Sequence, residues 1–347
     1  MTARLAPPRT EAELDHALST PRDATVAALG RTPGDIVVLG AGGKMGPTLA
    51  RMAARAASLA DSGAPRRVIA VSRFSSSPTM EALHAAGVET IRCDLLDRGA
   101  VARLPDAPNV IYMAGQKFGT SDAPSRTWMQ NVVVPSICVE RYAASRIVAF
   151  STGNVYPLTA PAGGGSREGD PLGPVGEYAA SCVGRERVLE YYSATRGTCV
   201  AVARLNYAID LRYGVLVDIA VAIAQGRPVP LAMGHVNVIW QGDANRIALE
   251  LLPHASSPPL VVNVTGSETI AVRTIAAELA RRMKRDVTFA GSEAPNALLS
   301  DASRMRSLLG PPDMPSATLL DWVADWVAAG RPLLGKPTGF EKRDGAF

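Results

Sequence analysis

The sequence predicts an α/β protein built on a doubly wound parallel sheet, with a smaller lobe towards the carboxyl terminus. Two observations carry this expectation. Short β-type apolar runs recur at 35–39, 68–71, 90–93, 110–113, 147–150 and 199–203, separated by stretches that can hold helices. Strand alternating with helix implies parallel strands joined by helical crossovers. The first run passes directly into a glycine-rich turn, Gly40-Ala-Gly-Gly-Lys-Met-Gly46, at the start of a helical pattern.

Residues 1–34 are charged and alanine-rich, with helices expected over 11–18 and 24–29, closed by Gly30 and Pro33, and read as an accessory extension. Residues 35–210 form the nucleotide-binding unit. Beyond them the pattern loosens into helix candidates at 216–224, 243–252, 270–282 and 317–329, so 211–330 is expected to be mainly a substrate lobe. Residues 331–347, rich in Gly, Pro and charge, read as a tail.

Composition narrows the function classes. A chain of 347 residues, 47% hydrophobic, buries a large core or two modest ones. Its 36 basic and 32 acidic residues leave a net charge of +4 without a like-charge block, which argues against nucleic acid as a partner. The amino terminus lacks an apolar signal segment, and every long apolar stretch is broken by charge before the ~18 residues of a membrane span, so a cytoplasmic protein is expected. Cys93, Cys138, Cys182 and Cys199 lack metal-ligand or disulfide spacing, and His16, His84, His235 and His254 are scattered; no metal is expected.

Gly40, Gly43 and Gly46 stand three apart between strand and helix. Glycine lets the backbone turn tightly and approach a pyrophosphate, whose charge meets the free N–H groups of the following helix. Gly40, Gly43, Lys44, Met45 and Gly46 are therefore candidate cofactor residues. The second strand ends in Ser72-Arg73 where an NAD site usually carries an acidic residue for the ribose hydroxyls; an arginine there pairs with a 2′-phosphate, favouring NADP over NAD. Asp94, after the third strand, is placed either to meet the adenine, beside Leu95, or to cap a helix.

With these residues in view, the chain over about 35–330 resembles the extended branch of the short-chain dehydrogenase/reductase superfamily, the NAD-dependent epimerase/dehydratase family. Cys93-Asp-Leu-Leu-Asp97, Val110-Ile-Tyr-Met-Ala-Gly-Gln-Lys117 and Trp128-Met-Gln-Asn131 are similar to segments that surround the cofactor in that family. The resemblance implies a Rossmann-type sheet, NAD(P), a homodimer paired through helices, and cofactor contacts from Asp94, Leu95, Ala114, Gly115, Tyr178 and position 182. It also implies that Lys117 lies by the cofactor. Phe150-Ser-Thr-Gly-Asn-Val-Tyr156 resembles the Ser/Thr motif, which makes Thr152 the catalytic hydroxyl, and Tyr178 matches the catalytic tyrosine. Arg204-Leu-Asn-Tyr207 resembles a substrate-reaching loop, and Asn263-Val-Thr-Gly resembles a strand and helix start of the substrate lobe.

In such a site tyrosine is the general acid or base, the Ser/Thr hydroxyl holds the same substrate oxygen, and the nicotinamide exchanges hydride. A free tyrosine, with a pKa of about 10, is only about one part in a thousand ionised at pH 7. The family's lysine, four residues after the tyrosine, lowers that pKa and binds the nicotinamide ribose. This chain has Cys182 there. Lys117 and Arg185, the latter seven residues from Tyr178 and on the same helical face, are candidate replacement cations; a buried cysteine on a helix is more often packing than a nucleophile. The dehydratases of the family carry an acidic pair after the Ser/Thr, and here those positions are Gly153 and Asn154. Redox chemistry or epimerisation of a sugar or sugar acid therefore leads, with Asn154, Asn206 and Tyr207 orienting the substrate and His235 and Trp240 as further candidates to line the site. The alternative is an NAD(P)-binding regulator without turnover, which Cys182 favours and Thr152 with Tyr178 disfavours.

Overall fold

The six apolar runs form strands within two residues of their expected bounds: β1 Ile36–Leu39, β2 Val68–Ser72, β3 Glu89–Arg92, β4 Asn109–Tyr112, β5 Arg146–Thr152 and β6 Cys199–Leu205. The computed structural model describes residues 6–60, 66–75, 77–336 and 338–346. A seventh strand, β7 Leu260–Val264, completes one parallel sheet of order β7-β6-β5-β4-β1-β2-β3. The order reverses between β1 and β4, and the crevice beyond the carboxyl ends of the strands at that switch point is where such sheets take ligands.

Alternate residues of each strand feed two cores. Ile36 and Val38 of β1 pack with the helix Gly46–Leu59 and with Ala244, Ile247 and Ala248 of the helix Gln241–Glu250. Val37 and Leu39 face Ile137 and Cys138 of the helix Val134–Arg141 and Leu189 of the helix Gly176–Arg196. A third core, the lobe, gathers the helices Val215–Ala224, Val272–Met283 and Ser316–Ala328, near the expected positions.

Three assignments made from sequence differ from the structure. Residues 211–330, expected to be mainly lobe, also return to the sheet, because β7 pairs in parallel with β6 and the helix Gln241–Glu250 covers the sheet; the short strand that follows that helix carries no local mark of which sheet it joins. The amino-terminal helices Glu11–Leu18 and Asp23–Gly30 stand where expected, the first held by a Thr10–Glu13 capping box, but they are integral rather than accessory. Leu14 and Leu18 are buried in the lobe core, Leu29 in the sheet core, and Arg22 reaches Glu250 at 2.8 Å. Finally, the tail is packed: Phe340 is buried in the lobe core, and the backbone N–H and hydroxyl of Thr338 donate to Asp218 at 2.7 and 2.6 Å.

Candidate functional site

At the carboxyl end of β1 the chain turns through Gly40, whose φ of +88° favours glycine and where a Cβ would come within 2.5 Å of the Ala114 nitrogen. At Gly46 a Cβ would meet the Ala41 carbonyl oxygen at 2.2 Å, so only glycine lets the helix Gly46–Leu59 start against the strand. No side chain caps that helix, which leaves its first N–H groups facing the turn. The arrangement fits a dinucleotide's pyrophosphate: Gly40, Gly43, Lys44 and Met45 line a cavity of about 360 Å3 over the carboxyl ends of the central strands.

The same cavity takes in Ala114, Gly115 and Lys117 from the loop after β4, Thr152 at the end of β5 and Asn154 just beyond it, Tyr178 and Arg185 from the helix Gly176–Arg196, and Asn206 and Tyr207 after β6. The Tyr178 phenol lies close enough to Thr152 and to the Cys182 thiol for both to act on its ionisation. Burial, with Cys182 beside it, pushes the Tyr178 phenol above its ordinary value, and Arg185 and Thr152 oppose that shift. The Thr152 hydroxyl accepts from the Asn154 backbone N–H at 3.2 Å and from its side-chain amide at 3.0 Å, which leaves its own proton for another acceptor.

Arg185, one of the two candidate replacement cations, is buried. Its Nη1 donates to the Phe150 carbonyl at 2.8 Å and its Nη2 to Asn131 Oδ1, also at 2.8 Å. A Cβ on Gly115 would lie 2.6 Å from that Nη2, so the absence of a side chain at 115 is what admits the guanidinium beneath the loop. Asn131 itself sits in a π-helical turn, Met129–Val133, and ties the loop to the tyrosine helix by accepting from the Gln116 N–H at 2.8 Å and donating to the Gln116 carbonyl and the Ser181 hydroxyl, both at 2.9 Å. The ammonium of Lys117 stands 5.9 Å from the Tyr178 ring centroid. Burial, aided by the nearby Lys342, lowers its pKa to about 8.

Cys182 does not line the cavity. Its side chain packs with Val155 and Tyr156, and burial raises its thiol above the ordinary range, so the expected cofactor contact at 182 is corrected to packing beneath Tyr178. Trp240 and His235 also lie outside the cavity; Trp240 stacks edge-on against Trp322 at 5.7 Å, and His235 pairs with Ala271 in a short antiparallel ladder. Arg73 is exposed at the end of β2, and Leu95 is buried. The Asp94 carboxylate accepts from the Leu96 N–H at 3.1 Å, so it serves its own turn.

Sequence reasoning passed over a second set of groups. Glu186, one turn beyond Cys182, pairs with Arg204 of β6 at 2.6 Å and accepts from the Ser151 hydroxyl at 2.5 Å; Arg204 also donates to the Tyr156 hydroxyl at 2.6 Å, which donates in turn to Asn263 of β7 at 2.8 Å. This buried network locks the tyrosine helix to β5 one residue before Thr152. Its signal in the sequence is an arginine inside the apolar run Cys199–Leu205. Lys44, 3.3 Å from the Tyr213 ring centroid, has its pKa lowered to about 8 by burial and by Lys336 and Lys117.

The model of the NAD dependent epimerase/dehydratase family matches residues 36–209, just over half of the chain. The chain belongs to that family. It is thereby an enzyme-family member, and the non-catalytic alternative loses ground. Solved structures of similar fold include the UDP-glucose 4-epimerase of Thermotoga maritima, with 17% identity and a TM-score of 0.71 over 85% of this chain and 99% of that one. The UDP-Glc/GlcNAc 4-epimerase of Campylobacter jejuni matches at 21% identity and a TM-score of 0.70 over 85% and 99%. The dTDP-glucose 4,6-dehydratase DesIV of Streptomyces venezuelae, solved with NAD and TYD, matches at 20% and 0.71 over 85% and 97%. At these identities the likeness is one of fold. No curated protein matches the chain in sequence. Among the described residues no helix is long and apolar enough to cross a membrane.

Proposed function

We propose that the protein is an NAD(P)-dependent oxidoreductase or epimerase acting on a sugar or sugar acid, with Tyr178 and Thr152 as its acid–base pair. The placement of Tyr178 and Thr152 side by side in the cavity that the glycine turn also lines carries this reading. A bound nicotinamide supplies the hydride acceptor or donor. On the protein's side, Tyr178 takes the proton from a substrate hydroxyl, or returns it to a carbonyl, while Thr152 donates to the same oxygen. Lys117 and Arg185 supply the positive charge that lowers the cost of a tyrosinate, in place of the lysine absent at 182. Gly40, Gly43, Lys44 and Met45 hold the pyrophosphate, with Gly46 opening the helix behind it. Ala114 and Gly115 flank the nicotinamide, and Asp94 and Leu95 border the adenosine end. Asn154, Asn206 and Tyr207 orient the substrate.

Arg73, exposed where a ribose 2′-phosphate would lie, supports NADP; the NAD named for DesIV speaks for the unphosphorylated form as a family property. Trp128, Met129 and Tyr191, large apolar residues left exposed on helical segments, support pairing into a homodimer; a cytoplasmic location remains part of the proposal. The test is a screen of NAD(P)-linked oxidation with polyols, sugars and sugar acids. Turnover that disappears in Tyr178→Phe while cofactor affinity stays within threefold is expected. Undiminished turnover in Tyr178→Phe sinks the assignment.

A further inference from the structure

The helices Gly46–Leu59 and Gln241–Glu250 lie together on one face of the sheet, and three polar side chains join them inside the protein. Thr48, Gln241 and Asn245 are each at most 3% exposed. The Thr48 hydroxyl donates to the Met45 carbonyl of the glycine turn at 3.0 Å. Its two lone pairs accept from the Gln241 amide at 3.2 Å and from the Asn245 amide at 3.1 Å, which fills the capacity of the hydroxyl. Asn245 also donates to the Leu18 carbonyl at 3.0 Å.

The single proton of Thr48 fixes which way both amides turn. Because that proton goes to Met45, Gln241 has to present its N–H to the hydroxyl, and its Oε1 is turned away from Thr48. The Asn245 Oδ1 is sealed from solvent without a partner, whereas the Gln241 Oε1, which likewise has no partner among the described residues, is not sealed. The space that Gln241 lines is the main cavity, shared with Gly40, Gly43, Lys44 and Met45. A polar oxygen held in the wall of a cavity without a protein partner is an acceptor kept for a ligand.

The position narrows the ligand. Thr48 is the third residue of the helix whose uncapped N–H groups fit the pyrophosphate, so Gln241 stands one hydrogen bond from the residues expected to hold that anion. At neutral pH a pyrophosphate offers acceptors alone, which an amide oxygen does not satisfy. The nearest donors that a dinucleotide carries are the hydroxyls of the two riboses esterified to it. We propose that the Gln241 Oε1 accepts a hydrogen bond from a ribose hydroxyl of the bound dinucleotide, and that Thr48 is the positioning residue that aims it. The proposal rests on the NAD(P)-dependent reading of this cavity and adds a cofactor contact from beyond residues 36–209, the stretch matched by the family.

The test is calorimetric titration of the full chain with NADH, NADPH and ADP-ribose, the last of which carries both riboses without the nicotinamide. Gln241→Met, close in length and lacking the oxygen, is expected to weaken all three about three- to tenfold, the effect of one neutral hydrogen bond. Thr48→Val lets the amide turn and is expected to lose a similar factor, Thr48→Ser to restore it, and Thr48→Val to cost nothing further in the Gln241→Met background. Thermal melting checks that each variant folds. Should Gln241→Met not fold, Gln241→Asn, which draws the oxygen back by one methylene, takes its place with the same expectation. Unchanged affinities in a folded Gln241→Met or Gln241→Asn overturn the contact. A loss with NADH and NADPH that is absent with ADP-ribose puts the donor on the nicotinamide and overturns the ribose. A Thr48→Val loss that adds in full to that of Gln241→Met overturns the positioning role. Wild-type protein that binds none of the three ligands defeats the cofactor reading itself and this contact with it, an outcome distinct from all the others.

Discussion

Replacing Lys117 by Met tests whether a loop cation stands in for the lysine missing at 182. The ammonium lies 5.9 Å from the Tyr178 ring centroid. For two unit charges about 6 Å apart at an effective dielectric of about 20, the attraction is about 3 kcal/mol, or about two pK units. Lys117 is half-buried, and solvent screening trims the effect to a loss of between about ten- and a hundredfold in kcat/KM at pH 7. Because the folded lysine titrates near 8, the wild type keeps its advantage below that pH and loses it as pH rises through 8. The ratio of wild-type to mutant kcat/KM, followed by nicotinamide absorbance from pH 6 to 10, is thus expected to be largest below pH 7 and to approach one near pH 10. The stability effect has the opposite sign. Folding holds this lysine below its ordinary pKa of 10.5, a penalty fully present below pH 8 and relieved as pH rises towards 10.5. Lys117→Met should accordingly raise stability at neutral pH by about 1 to 3 kcal/mol. A ratio that stays flat with pH, or a mutant less stable than the wild type at pH 7, refutes the role given to Lys117.

Arg185→Met removes charge-assisted hydrogen bonds to Phe150 and Asn131, and should cost about 3 to 5 kcal/mol in denaturant unfolding, together with a fall in turnover that Arg185→Lys restores in part; an unfolding midpoint within error of the wild type rules out the buried arrangement. Native Cys182 should resist a thiol reagent that modifies the partly exposed Cys199, and Cys182→Ala should keep turnover within about tenfold, as a packing residue does. Loss of all activity in Cys182→Ala means that the thiol takes part in the chemistry. NADPH should bind more tightly than NADH, and Arg73→Ala should abolish the difference; equal affinities in the wild type remove Arg73 from cofactor selection.

What could be read from the sequence was what local patterning determines. Each strand of the nucleotide-binding unit is a short apolar run next to a turn, and the glycine spacing reports its own steric requirement, so β1 to β6 and the 40–46 turn were legible within a residue or two. Thr152 and Tyr178 were legible as a pair only through resemblance, since nothing local says that residues 26 positions apart line one cavity. The misreadings concern distant packing. β7 is five residues long and acquires its meaning from β6, the amino-terminal helices acquire theirs from the lobe and the sheet, and the carboxyl-terminal segment, polar and glycine-rich, is ordered by Asp218, Asn296 and the lobe core rather than by its own propensity.

Position 182 shows how the two kinds of information combine. Sequence alone identifies a missing cation. It does not show that the space a side chain at 115 would fill is taken by the Arg185 guanidinium, or that Asn131 sits in a π-helical turn and accepts from that guanidinium. A lysine restored at 182 would enter a space already filled by Val155 and Tyr156, beside the Arg185 charge. The cysteine is therefore coupled to Arg185: a small neutral side chain at 182 is what allows that guanidinium to be buried beside Tyr178 without like-charge repulsion.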